Sequence, residues 1–136
     1  MIEYRDNLSD IEPSMLTGFF VGWPNPPSPE THLRILKGSY AVSLAIDTAS
    51  NRVAGFISAH SDGVLSAYIP LLEVLPEYRG RGIGKELVCR LLDRLSDFYM
   101  VDLTCDSDLQ PFYEKLGMTR MTSMVRRNFE MQKGKK

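Results

Sequence analysis

Residues Leu71 to Leu95, LLEVLPEYRGRGIGKELVCRLLDRL, constrain the fold more than any other stretch. They read as an apolar strand, a proline-marked turn, a glycine-rich loop carrying arginines, and an amphipathic helix. From Ile83 the apolar positions fall at Leu87, Val88, Leu91, Leu92, Leu95 and Phe98, a helical stripe, with Lys85, Glu86, Arg90, Asp93, Arg94 and Asp97 on the other side. The N-terminus of that helix lies inside the glycine run. First-turn amides of a helix lack intrahelical partners and carry partial positive charge, so Arg79-Gly80-Arg81-Gly82-Ile83-Gly84 is built to receive an anion, phosphate above all. Glycines let oxygen atoms approach bare backbone, and Arg79 and Arg81 add donors and charge.

Spacing discriminates among phosphate loops. A dinucleotide fingerprint needs GxGxxG after an early βαβ unit, whereas Gly80, Gly82 and Gly84 are evenly spaced and no such unit precedes them. A Walker loop fails as well, because Arg79 and Glu86 stand where it requires glycine and a hydroxyl residue. The stretch does resemble the acyl-CoA signature (Q/R)xxGxG/A of the GNAT superfamily of N-acyltransferases, and its lead-in Leu72-Glu73-Val74-Leu75-Pro76-Glu77-Tyr78 is similar to that family's too.

A chain of 136 residues with 43% apolar character makes one domain with a real core, expected over residues 1–128, followed by a basic tail at 129–136. A formal charge of −1 gives no push toward nucleic acid or membrane. Cys89 and Cys105 lack metal-ligand or CxxC spacing and read as packed, reduced thiols, which suits the cytoplasm. No metal site is expected.

Met1 to Arg5 alternates like a strand, and Ser9-Asp10-Ile11-Glu12 reads as a capping box opening a short helix to about Phe20. Gly22 to Pro27, with three prolines, is a loop. Ser28-Pro29-Glu30 then starts a helix to about Lys37, with serine as cap and proline in the first turn. Tyr40 to Asp47 and Val53 to His60 form a hairpin, and Leu65 to Leu75 is the strand feeding the anion loop. Pro70 within that strand marks an edge or a bulge. Met100 to Cys105 is a short strand that closes a βαβ crossover with parallel strands. A further helix begins near Ser107 or Asp108, the latter favoured as cap by Pro111, and a last strand is expected from Met118 to about Asn128. His32 and His60 read as ordinary surface or strand-end residues.

Asp106 to Met118, DSDLQPFYEKLGM, resembles the family's closing helix NxxAxxFYxxxGF, with Asp106 in place of the asparagine and Met118 in place of phenylalanine. The resemblance implies a mixed α+β (α/β) GNAT-type fold: a twisted mixed sheet of about six strands, flanked by about four helices, with two central parallel strands splayed apart. It implies acetyl-CoA as cosubstrate, its pantetheine bonding to the backbone of Leu72, Glu73 and Val74. The diphosphate would lie on Arg79, Gly80, Arg81, Gly82, Ile83 and Gly84, with Asp106 nearby. It also implies Tyr113 as the acid that protonates the CoA sulfur, and one wall of the acceptor site in the first-helices region. Phe19, Phe20 and Trp23 either touch acceptor there or cap the core.

Reasoning from the chemistry, a strand N–H near Val74 is the expected oxyanion donor, and Glu73 the best-placed base for the amine, ahead of Asp102 and Asp106. Whether Glu73 shares a face with Ile69 and Leu71 depends on a bulge at Pro70. The expected activity is N-acetyl transfer to a primary amine by direct attack in a ternary complex, a small-molecule amine before a protein amine. A silent acyl-CoA sensor is the alternative. Gly22-Trp23-Pro24 and the anion loop also resemble plastid and cyanobacterial relatives that acetylate arylalkylamines or protein amines. Oligomeric state is open, a homodimer included.

Overall fold

Alternating apolar residues lay down five strands: β1 (Ile2–Arg5), β2 (Ala41–Asp47), β3 (Arg52–Ser61), β4 (Ser66–Val74) and β5 (Met100–Leu103). In the computed structural model, which describes residues 1–136, they form one sheet whose spatial order follows the chain. Neighbours are antiparallel from β1 to β4, and β5 lies parallel to β4. The three α-helices are α1 (Pro29–Lys37), α2 (Ile83–Arg94) and α3 (Gln110–Glu114). Phe56 and Ser58 of β3 face α1, where the Phe56 ring meets His32 at 4.4 Å. Gly55 turns to α2, and its missing side chain admits the Leu87 methyl group.

α1 begins as its sequence dictates, with Ser28 accepting a hydrogen bond from the Thr31 amide and Pro29 in the first turn. The apolar stripe of α2 is buried at Ile83, Leu87, Val88 and Leu91. Its polar side ties back to the sheet edge, where Arg90 pairs with Asp6 and Ser43 donates to the same carboxylate at 2.6 Å.

Two expected elements do not form, so the sheet has five strands rather than six and the helices number three rather than four. The first helix fails because Pro13 forces Glu12 into extended backbone (φ −117°, ψ 156°) and Asp10 adopts φ 61°. Only a 3-10 turn, Pro13–Leu16, remains, and Ser9 caps nothing. The last strand fails because nothing pairs with it: residues 119–128 have no regular structure and are exposed throughout. The basic tail beyond them is tied to the domain, since the Gln132 side chain accepts from the Asn25 amide at 2.9 Å and Arg34 donates to the Lys135 carbonyl. Neither Ser107 nor Asp108 caps α3 through its side chain; a 3-10 turn, Ser107–Leu109, precedes it, with Pro111 in the first helical turn. Both thiols are free, but Cys89 is exposed on the outer side of α2 instead of packed.

His32 is the largest departure in burial. It is 1% exposed, ringed by Phe19, Phe20 and Phe56, and neither ring nitrogen has a partner. Burial lowers its pKa to about 4 from an ordinary 6.5. The folded form therefore holds a neutral imidazole where the unfolded chain takes up a proton. The corresponding stability is fully present above pH 6.5 and is lost as pH falls toward 4, about 3 kcal/mol in all. Urea unfolding at pH 7.5 and 4.5 should show this slope, and His32→Leu should flatten it. A slope that survives the substitution would assign it to other groups.

Candidate active site

The site is organised by where the two parallel strands stop pairing. β5 follows β4 only from Ser66↔Met100 to Ile69↔Leu103, while β4 runs on to Val74 against β3 alone. Pro70, which has no N–H to offer, stands at the residue where the partnership ends. Against β3 the register steps from Tyr68↔His60 to Leu71↔Ser58, so β4 carries one extra residue there. That is the bulge expected at Pro70, and it changes the parity of the strand. Ile69 points toward α2, whereas Leu71 and Glu73 share the opposite face with Ser58 and Phe56.

The ladder also fixes the direction of the backbone groups. The Leu75 amide donates to the Ala54 carbonyl at 2.8 Å, so Leu71, Glu73 and Leu75 turn their polar groups to β3. Alternation aims the amides of Leu72 and Val74 the other way, into the gap left by β5. The Val74 carbonyl accepts from Arg79 Nε at 3.0 Å, which pins the start of the glycine loop to the end of the strand.

The loop itself is shaped by Gly80 and Gly82, both at φ 78°, with open space where a Cβ would stand. Gly82 caps α2 in the left-handed conformation without any side-chain bond, and the first intrahelical bond runs from the Glu86 amide to the Gly82 carbonyl. The amides of Ile83, Gly84 and Lys85 thus stay without intrahelical partners, as an anion site requires. Ile83 is buried and anchors the turn. Tyr78 is a positioning residue that the sequence did not reveal. Its hydroxyl donates to Asp47 Oδ2 at 2.6 Å, and the Arg81 guanidinium lies over its ring at 5.3 Å. That hydrogen bond holds the Asp47 carboxyl below its ordinary range. Arg52 fastens the same turn from the side, donating to Glu77 Oε1 at 2.7 Å and to the Thr17 carbonyl.

Gly84 brings the remaining parts together. A Cβ there would sit 3.8 Å from Val74 Cγ2 and 4.0 Å from Phe112 Cζ, so the strand end, the first turn of α2 and the aromatic pair of α3 meet at this point. Tyr113, edge-on to Phe112 at 4.9 Å, is half-buried. Burial, with a smaller contribution from Cys105, raises its pKa to about 12, and the phenol keeps its proton throughout the neutral range. The Cys105 thiol is raised as well, by burial and then by Asp106 and Asp108. Asp106 is exposed and precedes the turn into α3, its carboxylate bonded to no backbone amide there.

Glu73 lies on the other face and does something the sequence did not foretell. Its Oε1 accepts from the Phe20 amide at 2.8 Å and its Oε2 from the Val21 amide at 3.2 Å. It thereby fixes Phe20 at φ 63° and ties the strand to the first-helices loop. Phe19 and Phe20 are buried core residues, while Trp23 packs at a tilt against Phe20, 4.8 Å between ring centroids, and stays 39% exposed. His60 is exposed at the far end of β3, away from all of this.

A strand with free amides facing a gap, continued by a glycine-rich helix terminus, is an arrangement suited to an extended anionic ligand. The sequence model described as the acetyltransferase (GNAT) family matches residues 8–118, and the chain belongs to that family. A protein of Deinococcus radiodurans R1, given provisionally as an acetyltransferase, has a similar crystal structure. It is 47% identical with a TM-score of 0.96, over 99% of this chain and 94% of that one. An uncharacterized N-acetyltransferase of Pyropia yezoensis is 28% identical over 74% of this chain. The chloroplastic GCN5-related N-acetyltransferase 2 of Arabidopsis thaliana is 32% identical over 71%. The chain spans 59% of the Pyropia protein's length and 45% of the Arabidopsis protein's.

Proposed function

We propose that this chain transfers an acetyl group from acetyl-CoA to a primary amine by direct attack in a ternary complex. One observation carries the proposal. The free amides of Leu72 and Val74 face the gap, and Val74 meets the first turn of α2 at Gly84, where the amides are unpartnered, which gives an extended ligand backbone bonds first and a diphosphate seat beyond them. Arg79 and Arg81 stand in the loop that leads to that seat. The Val74 amide donates to the oxyanion as the amine attacks the thioester. Holding both reactants in register supplies a large part of the acceleration, on the order of 7–11 kcal/mol in well-oriented cases.

Glu73 takes the amine proton, directly or through water, from the acceptor side of the sheet. Its two amide bonds orient the carboxylate and leave lone pairs for that purpose. The Tyr113 phenol donates to the departing sulfur. Full transfer from a group at about 12 to a thiolate of reference value about 8.5 is uphill, so the phenol acts as a hydrogen-bond donor to a sulfur that leaves as the thiolate, while the amine's proton stays on Glu73 until it passes to solvent. On the acceptor side a partly exposed indole, Trp23, follows the loop held by the Glu73 carboxylate. An aromatic face and an acid suit a small cationic amine better than a protein terminus. Acetyl-CoA and that amine are the only partners this requires, with neither nucleic acid nor membrane, and the free thiols suit the reducing cytoplasm.

Calorimetry with CoA and acetyl-CoA, followed by thiol release across a panel of amines, tests this directly. Micromolar binding and release that depends on a small amine are expected. Absence of heat at millimolar CoA ends the proposal, and binding without release under any amine would make the chain a sensor.

A further inference from the structure

The acceptor side of the sheet carries a second acid and a second aromatic, at the opposite end from Glu73 and Trp23. Tyr68 and Glu73 are both on β4 and five residues apart, so an unbroken strand would turn them to opposite faces. The extra residue at Pro70 brings them to one face instead. Tyr68 stands opposite His60, which shares the side of Ser58 and Phe56, and Glu73 stands opposite Phe56. Asp102 of β5 is the parallel partner of Tyr68 and so lies on that face too. Leu71, half-buried, sits between the two ends.

Asp102, Tyr68 and His60 border a hollow of about 400 Å³. It adjoins the cavity of about 1160 Å³ that Tyr113 lines, since Tyr68, Met100 and Asp102 border both. Two carboxylates face the hollow, and no lysine or arginine does; Arg120, Arg126 and Arg127 line the larger cavity alone. The two acids differ in what they do. Asp62 is spent on its own turn, where Oδ1 accepts from the amides of Leu65 and Val64, both at 2.8 Å, and these bonds hold its carboxyl below the ordinary range. Asp102 is exposed, and its carboxylate has no partner within the chain. Beside it the Tyr68 ring is 39% exposed. A free negative charge next to an open aromatic face is a pairing that takes an ammonium group.

We propose that Tyr68 and Asp102 seat a second ammonium of the acceptor, which makes the substrate a linear diamine or polyamine instead of a monoamine. The inference rests on the acetyl-transfer reading and adds the class of its acceptor. The amine to be acetylated meets Glu73, the alkyl chain lies over Leu71, and the far ammonium stands against the Tyr68 ring and the Asp102 carboxylate. Five residues of strand set the two ends on the order of 15 Å apart, and side chains reaching inward shorten the span. A long spacer bridges it, and a two-carbon diamine does not.

A terminal diaminooctane and the matching aminooctanol, which has a hydroxyl in place of the second ammonium, test this by calorimetry and by thiol release from acetyl-CoA. The diamine should bind roughly tenfold tighter and show a kcat/KM higher by a similar factor. Asp102→Asn should bring both preferences to within about twofold, and Tyr68→Leu should erode them in the same direction. A wild-type protein that treats the two amines alike overturns the inference, and so does a preference that survives Asp102→Asn. Either result leaves acetyl transfer standing wherever aminooctanol is acetylated. Failure of CoA to bind would instead strike the transfer reading, while the diamine titration, which needs no cosubstrate, still reports on the second seat.

Discussion

Replacing Tyr113 with phenylalanine is expected to lower kcat about 100-fold and to leave the dissociation constant for CoA within about twofold, because only the hydroxyl is lost. The ring keeps its edge contact with Phe112, and through it α3 keeps its seat on the first turn of α2. What disappears is a donor that burial holds in its protonated form. Steady-state rates with a saturating amine, alongside calorimetry of CoA, separate the two quantities. A variant that retains a third or more of the wild-type rate would remove the phenol from the chemistry and leave it a packing residue.

Gly82→Val should act in the opposite way, on affinity rather than turnover. The residue sits at φ 78° and ψ 9°, where a Cβ costs about 1–2 kcal/mol and a branched side chain more. The chain relieves this by rotating out of the left-handed region, which swings the amides of Ile83 and Gly84 off their common target. Since space around Gly82 is open, no clash contributes, and the effect isolates backbone direction. CoA affinity should fall roughly 10- to 100-fold, with kcat at saturating acetyl-CoA changed far less. Unaltered CoA affinity in the folded variant would show that the diphosphate is held elsewhere.

How much of this was legible beforehand depends on how local each cause is. The stripe from Ile83 to Leu95 announces α2, evenly spaced glycines announce the loop at its N-terminus, and Pro70 announces an edge or a bulge, because each is decided within a few residues. The capping box at Ser9 misled because Pro13 overrides it from the far side of the same turn. Strand character at 119–128 misled for a different reason: a strand exists only with a partner, and composition cannot supply one. His32 looks like any helix histidine until Phe19, Phe20 and Phe56 close over it from segments far apart in the chain. Tyr78 and Asp47 are separated by 31 residues, and Glu73 reaches the Phe20 amide across 53, so neither contact has a local signature.

The extra residue in β4 has a consequence for how this framework tolerates change in length. Upstream of Pro70 the strand's inward side chains belong to one layer, and downstream they belong to the other, so the carboxylate at position 73 owes its side of the sheet to a single inserted amino acid. Shorten the segment by one there and the downstream half turns over like a glove pulled inside out, carrying its acid to the α2 side of the sheet. Indels should therefore be far less welcome at this spot than anywhere in the neighbouring hairpin turns.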